Sequence, residues 1–257
     1  MTTTEKWIAF RTIVVKEIRR FTRIWMQTLL PPAITISLYF IIFGTLIGPR
    51  IGEMAGFSYM EFVVPGLIMM SVITNSYSNV VSSFFSTKYQ RSVEEMLVSP
   101  IPNYIILLGF CIGGVSRGLA VGLIVTLLSL FFTELQVKHL GVTVGMVLCT
   151  SIMFSLAGFI NAVFARSFDD ISIIPTFVLT PLTYLGGVFY SISLLPEFWQ
   201  GVSMANPVLY MVNAFRYGLL GVSDIDVTWA FAMVIVFSLV LFVVALHQLE
   251  KGSRLRS

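Results

Sequence analysis

Charge is the scarcest commodity in this sequence. Lysine, arginine, aspartate and glutamate together make up 11% of its 257 residues, where a water-soluble domain carries about 25%. That supply could not cover a folded surface in water. Cysteine is nearly absent: Cys111 and Cys149 each sit inside an apolar run, which excludes a disulfide framework and a zinc site. His139 and His247 are far apart and have no cysteine or carboxylate neighbours, so no metal site is expected. No GxxxxGK[ST] loop occurs, so the chain cannot cradle the phosphates of ATP by itself. No Asp or Glu lies deep within a long apolar run, where an ion-coupled transporter places its ionisable groups despite their cost. Intramembrane catalysis would need a carboxylate or histidine cluster and is disfavoured for the same reason.

Hydrophobic side chains fill the space that charge leaves. They form 56% of the chain, with a mean hydropathy of +0.89. A helical crossing needs about 20 apolar residues, and the composition suffices for roughly six crossings on that scale. The sequence therefore predicts an all-α polytopic membrane protein, a single domain over 1–257. The crossings are placed at 26–47, 62–86, 104–132, 140–165, 171–190 and 227–247. Gly48 to Glu61 reads as a loop, and no internal repeat is visible.

The first 25 residues alternate charge with apolar side chains, unlike a signal peptide. Trp7, Phe10, Val14, Ile18, Phe21 and Trp25 recur at spacings of 3, 4, 4, 3 and 4, one narrow face at about 100° per residue. Lys16, Arg19, Arg20 and Arg23 take the opposite face. Such a helix lies in the membrane interface, aromatics in the acyl boundary and cations among headgroups; packing on a soluble partner is the alternative. Pro31 and Pro32 then impose a kink or restart.

Orientation follows from lysine and arginine. With six crossings, both termini, the 87–103 loop, the 166–170 turn and the basic tail with Lys251, Arg254 and Arg256 share one side. That side holds twelve basic residues against three, Arg50, Lys138 and Arg216, on the other. The positive-inside rule places both termini in the cytoplasm. The net charge of +3 is thus a matter of topology, and no nucleic-acid partner is implied.

Several residues stand out as candidates. Arg117 is the one charge inside a crossing. It is either a substrate anchor or a structural arginine satisfied by carbonyls of a helix brought close by Gly113, Gly114 and Gly118. Ser71, Asn75, Ser78 and Ser82 form a polar stripe on the second crossing; Thr176, Thr180 and Thr183 form another on the fifth. Groups of this kind have no partner in lipid, so the stripes are expected to glue helices together or to line a path. In the 87–103 loop, Tyr89, Val93, Met96 and Leu97 share one face, with Lys88, Arg91, Glu94 and Glu95 around it. A helix over 88–97 would suit a groove on a soluble partner, or would be a solvated loop helix. The 191–223 segment, broken by Pro196 and Pro207, reads as a helical hairpin dipping into the outer leaflet, or as a surface loop with an aromatic belt.

One stretch is specific: Leu195-Pro196, ten residues, Pro207-Val208-Leu209-Tyr210, five residues, then Arg216. Together with PLTYLGGVFYSISLLP upstream and FVVPGLIMMSVITNSY in the second crossing, it is similar to the signature of the ABC-2 type ABC transporter permeases. The resemblance covers essentially the whole chain and runs close to bacterial inner-membrane permeases that export nodulation oligosaccharides and drugs. It implies a non-enzymatic subunit paired with a separate nucleotide-binding subunit that holds ATP and Mg. It also implies a dimer, with a second permease copy of the same chain, and a coupling helix formed by Lys88, Tyr89, Arg91, Val93, Glu94, Glu95 and Met96. The path would run between copies along the two stripes, carrying an amphipathic lipid, glycolipid or drug-like molecule outward from the membrane lipids or cytoplasm. Pro196, Pro207, Tyr210 and Arg216 would mark the re-entrant hairpin. A gradient-driven secondary transporter and a non-transporting scaffold are the rival readings.

Overall fold

The computed structural model describes residues 1–251; Arg254 and Arg256 of the basic tail lie outside the described residues. The architecture is helical from end to end, apart from one two-residue ladder. Among the described residues, four helices are long and apolar enough to cross a membrane: Trp25–Ile51, Asn103–Ser129, Leu140–Phe164 and Val227–Lys251.

Helix α1 (Thr3–Arg23) opens with a capping box, in which the Glu5 N–H donates to Thr2 Oγ1 at 3.3 Å and the Thr2 N–H donates to Glu5 Oε2 at 2.9 Å. Reciprocal bonds of this kind satisfy donors that no earlier turn can reach. Its buried ridge is Ile13, Glu17 and Phe21, so the charged side is partly turned into the protein and Trp7 and Trp25 are left exposed. After α2 (Trp25–Thr28), the chain restarts as α3 (Leu30–Ile41) with Pro31 and Pro32 in its first turn. A π-helical stretch, Ile42–Ile47, and α4 (Gly48–Ile51) prolong this helix past the expected end. The segment read as a loop is therefore helical to Ile51. It then forms an antiparallel pair, β1 (Glu53–Met54) and β2 (Phe57–Ser58), in register Glu53↔Ser58.

Helix α5 (Tyr59–Tyr89) is the central pillar, 31 residues long and buried along most of its length. It packs most extensively on α8 (Leu140–Phe164) and α7 (Asn103–Ser129). Its serines and asparagines dilute the apolar run, but at 1.5 Å per residue it reaches about 46 Å, long enough to cross. Close approach depends on missing side chains. A Cβ at Gly113 would lie 2.5 Å from Glu17 Cβ, and one at Gly122 would lie 2.7 Å from Val72 Cγ2. Helix α7 thus seats α1 on one glycine face and α5 on another, where Gly114 and Gly118 meet Ser76 and Val80, as small residues do in membrane bundles.

The segment expected as the fifth crossing is helical over only part of its length. Over 171–190 the chain is helical only as α9 (Asp170–Ile174), a π-helical stretch Pro175–Leu179, and α10 (Thr180–Tyr184). These fifteen residues span about 22 Å at 1.5 Å per residue, short of the roughly 30 Å hydrocarbon core. Pro175 and Pro181 remove N–H donors, and Gly187 takes a left-handed φ of 68°, so the chain leaves the helix before 190.

A 3₁₀ turn (Ile192–Leu194), α11 (Glu197–Met204) and α12 (Pro207–Leu220) follow. The hairpin expected over 191–223 is thus two helices, joined at Ala205 and Asn206 and ended by Gly221 in the left-handed region. Helix α13 (Val227–Lys251) closes the described chain, packed on α8 and α12.

Candidate functional site

A cleft of about 330 Å³ opens between α2–α3, α5 and α7. Gln27, Pro31, Pro32, Thr35, Tyr39, Ser71, Thr74, Asn75, Ser78 and Arg117 contribute to its lining. Local chemistry explains why Arg117 points here. A helix carbonyl accepts from the N–H four residues on, and proline has none; Pro31 and Pro32 therefore leave Gln27 and Thr28 without those donors. The Arg117 Nη2 donates to Thr28 O at 3.3 Å and to Asn75 Oδ1 at 3.1 Å. The structural reading of Arg117 is therefore met in part: a neighbouring carbonyl holds it, yet it also lines a cavity.

Of the first polar stripe, Ser71, Asn75 and Ser78 line the cleft, and Ser82 does not. The second stripe is elsewhere. Thr176 and Thr180 are exposed and Thr183 is buried, and none of the three lines the cleft. The premise that these groups need outside partners is corrected. Ser71 donates to Leu67 O at 2.9 Å, Ser82 to Asn79 O at 3.2 Å, Thr180 to Pro175 O at 3.0 Å and Thr183 to Thr180 O at 2.8 Å. Short hydroxylated side chains bond back to their own helix, so polarity alone does not assign a face.

Beside the cleft lies a network that sequence reasoning missed. Glu17 is fully buried; it accepts from the Ser83 hydroxyl at 2.8 Å and pairs with Arg20 at 3.5 Å. Arg20 Nη2 in turn donates to Asn79 O and Asn79 Oδ1, both at 2.8 Å. Arg20 was expected among headgroups and instead ties α1 to α5. The available signal was the ridge Ile13–Glu17–Phe21 at spacing four, facing Gly109 and Gly113.

The helix expected over 88–97 is broken. Lys88 and Tyr89 end α5, Arg91 adopts a left-handed φ of 59°, and α6 runs over Ser92–Val98. Lys88 Nζ donates to Val163 O at 2.7 Å and Ala165 O at 2.8 Å, tying down the end of α8. Val93 is buried and Met96 packs against the core, so much of the apolar face is used within the chain. Tyr89, Arg91, Glu95 and Val98 face outward while Glu94 is half-buried; the Tyr89 ring lies 5.2 Å from Phe168. Nearby, Asp170 accepts from the Arg166 N–H at 2.8 Å and the Ser167 N–H at 3.1 Å. The Arg166 N–H, then Ser167, hold its carboxyl below the usual carboxylate range.

In the hairpin, Arg216 is 1% exposed and does not belong in a count of loop charges. Its Nε donates to Phe62 O at 3.2 Å, its Nη2 to Gly187 O at 2.7 Å, and the guanidinium lies 3.8 Å over the Phe62 ring. Through Gly187 it satisfies irregular backbone within the protein. Pro196 precedes α11 and Pro207 starts α12, while the Tyr210 hydroxyl donates to Met204 O at 2.8 Å, bridging the two.

The residues of the specific stretch thus have defined structural work, and residues 8–220 match the family of ABC-2 type transporters. The chain belongs to that family. It is 58% identical over 252 residues, 98% of both chains, to "Inner membrane transport permease YadH" of Escherichia coli K12. It is 21% identical over 215 residues, 83% of each chain, to "Nodulation protein J" of Rhizobium leguminosarum bv. viciae. This ABC-2 chain is accordingly the permease component of a transporter, and its family pairs generally with an ABC ATPase. Among the described residues, no group of three or more His, Cys, Asp or Glu could hold a metal ion.

Proposed function

We propose that this chain is the membrane subunit of an ATP-driven exporter in the bacterial inner membrane, with both termini cytoplasmic. The reading extends to one membrane domain over 1–257, crossing six times, its short 170–184 helix completed by the irregular 185–191 segment. Two copies form the dimer, and a separate nucleotide-binding subunit holds ATP and Mg. In this reading α6 and the turn before it couple to that ATPase through outward-facing Tyr89, Arg91, Glu95 and Val98. The 191–223 hairpin dips into the outer leaflet. The cargo is a lipid, glycolipid or drug-like amphiphile.

The observation that carries the reading is the cleft itself: a largely apolar cleft in the flank of the bundle that sets one cation, Arg117, among Ser71, Asn75 and Ser78 of α5. A scaffold needs no such cavity. A gradient-driven carrier would want an acidic group in it, and no acid lines it. The test is co-expression with an ABC ATPase and purification in detergent, followed by ATP hydrolysis across a lipid and drug panel. A stable complex whose hydrolysis rises with an amphiphile is expected. A chain that transports on its own with an ion gradient and no ATP would overturn the reading.

A further inference from the structure

The charge balance of the cleft is unfinished. Both acceptors on Arg117, Thr28 O and Asn75 Oδ1, are neutral, and its Nε is buried without an acceptor among the described residues. The charged side chain whose field reaches it is a second cation, Arg20, and Glu17 is committed to Arg20 and Ser83. Arg117 is half-buried; the part of its charge withdrawn from water costs free energy unless an opposite charge meets it, and neutral carbonyls solvate a cation without cancelling it. Asn75 is in turn held in place, its Nδ2 donating to Ser71 O at 2.9 Å, so its oxygen is fixed toward the guanidinium.

The surroundings fit one kind of occupant. Thr35 and Thr74 are exposed at the mouth, where their hydroxyls can donate to an anion, and Ile36 and Met70 give the cleft an apolar wall. Its volume of about 330 Å³ is at the small end of ligand cavities, room for a headgroup with its chains left outside. Arginine's fixed fork of donors suits phosphate and carboxylate.

We propose that the cleft takes the anionic headgroup, phosphate or carboxylate, of a membrane amphiphile, seated on Arg117 beside Asn75. This rests on the reading of the cleft as part of the substrate path and narrows the cargo to acidic amphiphiles.

The test is binding to the full chain in neutral detergent, read as thermal stabilisation, with three probes: phosphatidylglycerol, phosphatidylcholine and inorganic phosphate. Phosphatidylglycerol should raise the melting temperature while the other two leave it unchanged. Arg117→Gln should weaken phosphatidylglycerol by about tenfold or more. Asn75→Asp, of nearly the same shape, supplies a carboxylate to Arg117 and should abolish the response while keeping the protein folded. Equal shifts from phosphatidylcholine and phosphatidylglycerol in the unmutated protein would overturn the proposal, as would undiminished binding to folded Asn75→Asp. A response to inorganic phosphate as large as that to phosphatidylglycerol would overturn the amphiphile and leave a free-anion site. None of these readouts involves the ATPase, so a failure here leaves the exporter reading to its own test.

Discussion

At the scale of single residues, position decides what a polar group does. Arg216 and Arg117 are both arginines in apolar surroundings, yet one is closed on all sides and the other borders a cavity. Arg216→Lys should be destabilising, because an ammonium cannot reach Phe62 O and Gly187 O while stacking on the Phe62 ring; losing one charge-assisted bond costs about 1.5–3 kcal/mol. A melting curve in detergent checks it, and an unchanged midpoint would show that the carbonyls find other donors. The glycines divide in the same way. A Cβ at Gly158 would sit 2.6 Å from Tyr77 O, whereas at Gly201 nothing lies within 4 Å. Gly158→Ala should therefore cost about 1–3 kcal/mol through overpacking. Gly201→Ala, in α11, should be neutral or gain about 0.5–1 kcal/mol of helix propensity. Equal melting temperatures for the two would refute the close contact of α5 with α8.

At the scale of elements, the periodic signals were the legible ones. Helix α1, the long crossings at 104–132, 140–165 and 227–247, and the two-helix hairpin lie within a few residues of where apolar spacing and proline put them. Two of the misplaced element ends come from backbone events that periodicity does not register. The turn at Gln90–Arg91 interrupts a stretch whose side-chain pattern runs on undisturbed, whereas the exit after Tyr184 falls at Gly186–Gly187, a breaker inside an otherwise apolar run. The ridge Ile13–Glu17–Phe21 was legible as a spacing, but that it is the buried one depends on Gly109 and Gly113, almost a hundred residues away. The revised α6 makes its own prediction. Val93→Asp should lower folded yield, since the side chain is buried. Glu95→Lys, on the exposed side, should leave melting unchanged and reduce hydrolysis by a co-purified ATPase. A Glu95→Lys protein with full substrate-stimulated turnover would remove that surface from the coupling contact.

At the scale of the whole molecule, the dimer proposal becomes sharper than the sequence allowed. Asn75 is 4% exposed and engaged with α7, whereas Thr74 beside it is exposed. In a background lacking Cys111 and Cys149, Thr74→Cys should cross-link to its own copy in a second subunit, and Asn75→Cys should not. A chain that remains un-cross-linked at Thr74 in membranes, while still exporting, would place the α5 faces apart. The paired prolines carry a consequence for how the molecule is made. They leave the first crossing with an open acceptor at Thr28 that Arg117, 89 residues later, is the group to meet. At about 5–20 residues per second of synthesis, the ribosome needs roughly 4–18 seconds to deliver it. Until then the Thr28 carbonyl has no Arg117 to accept from, so this tie between the first crossing and α7 can close only after α7 has been made.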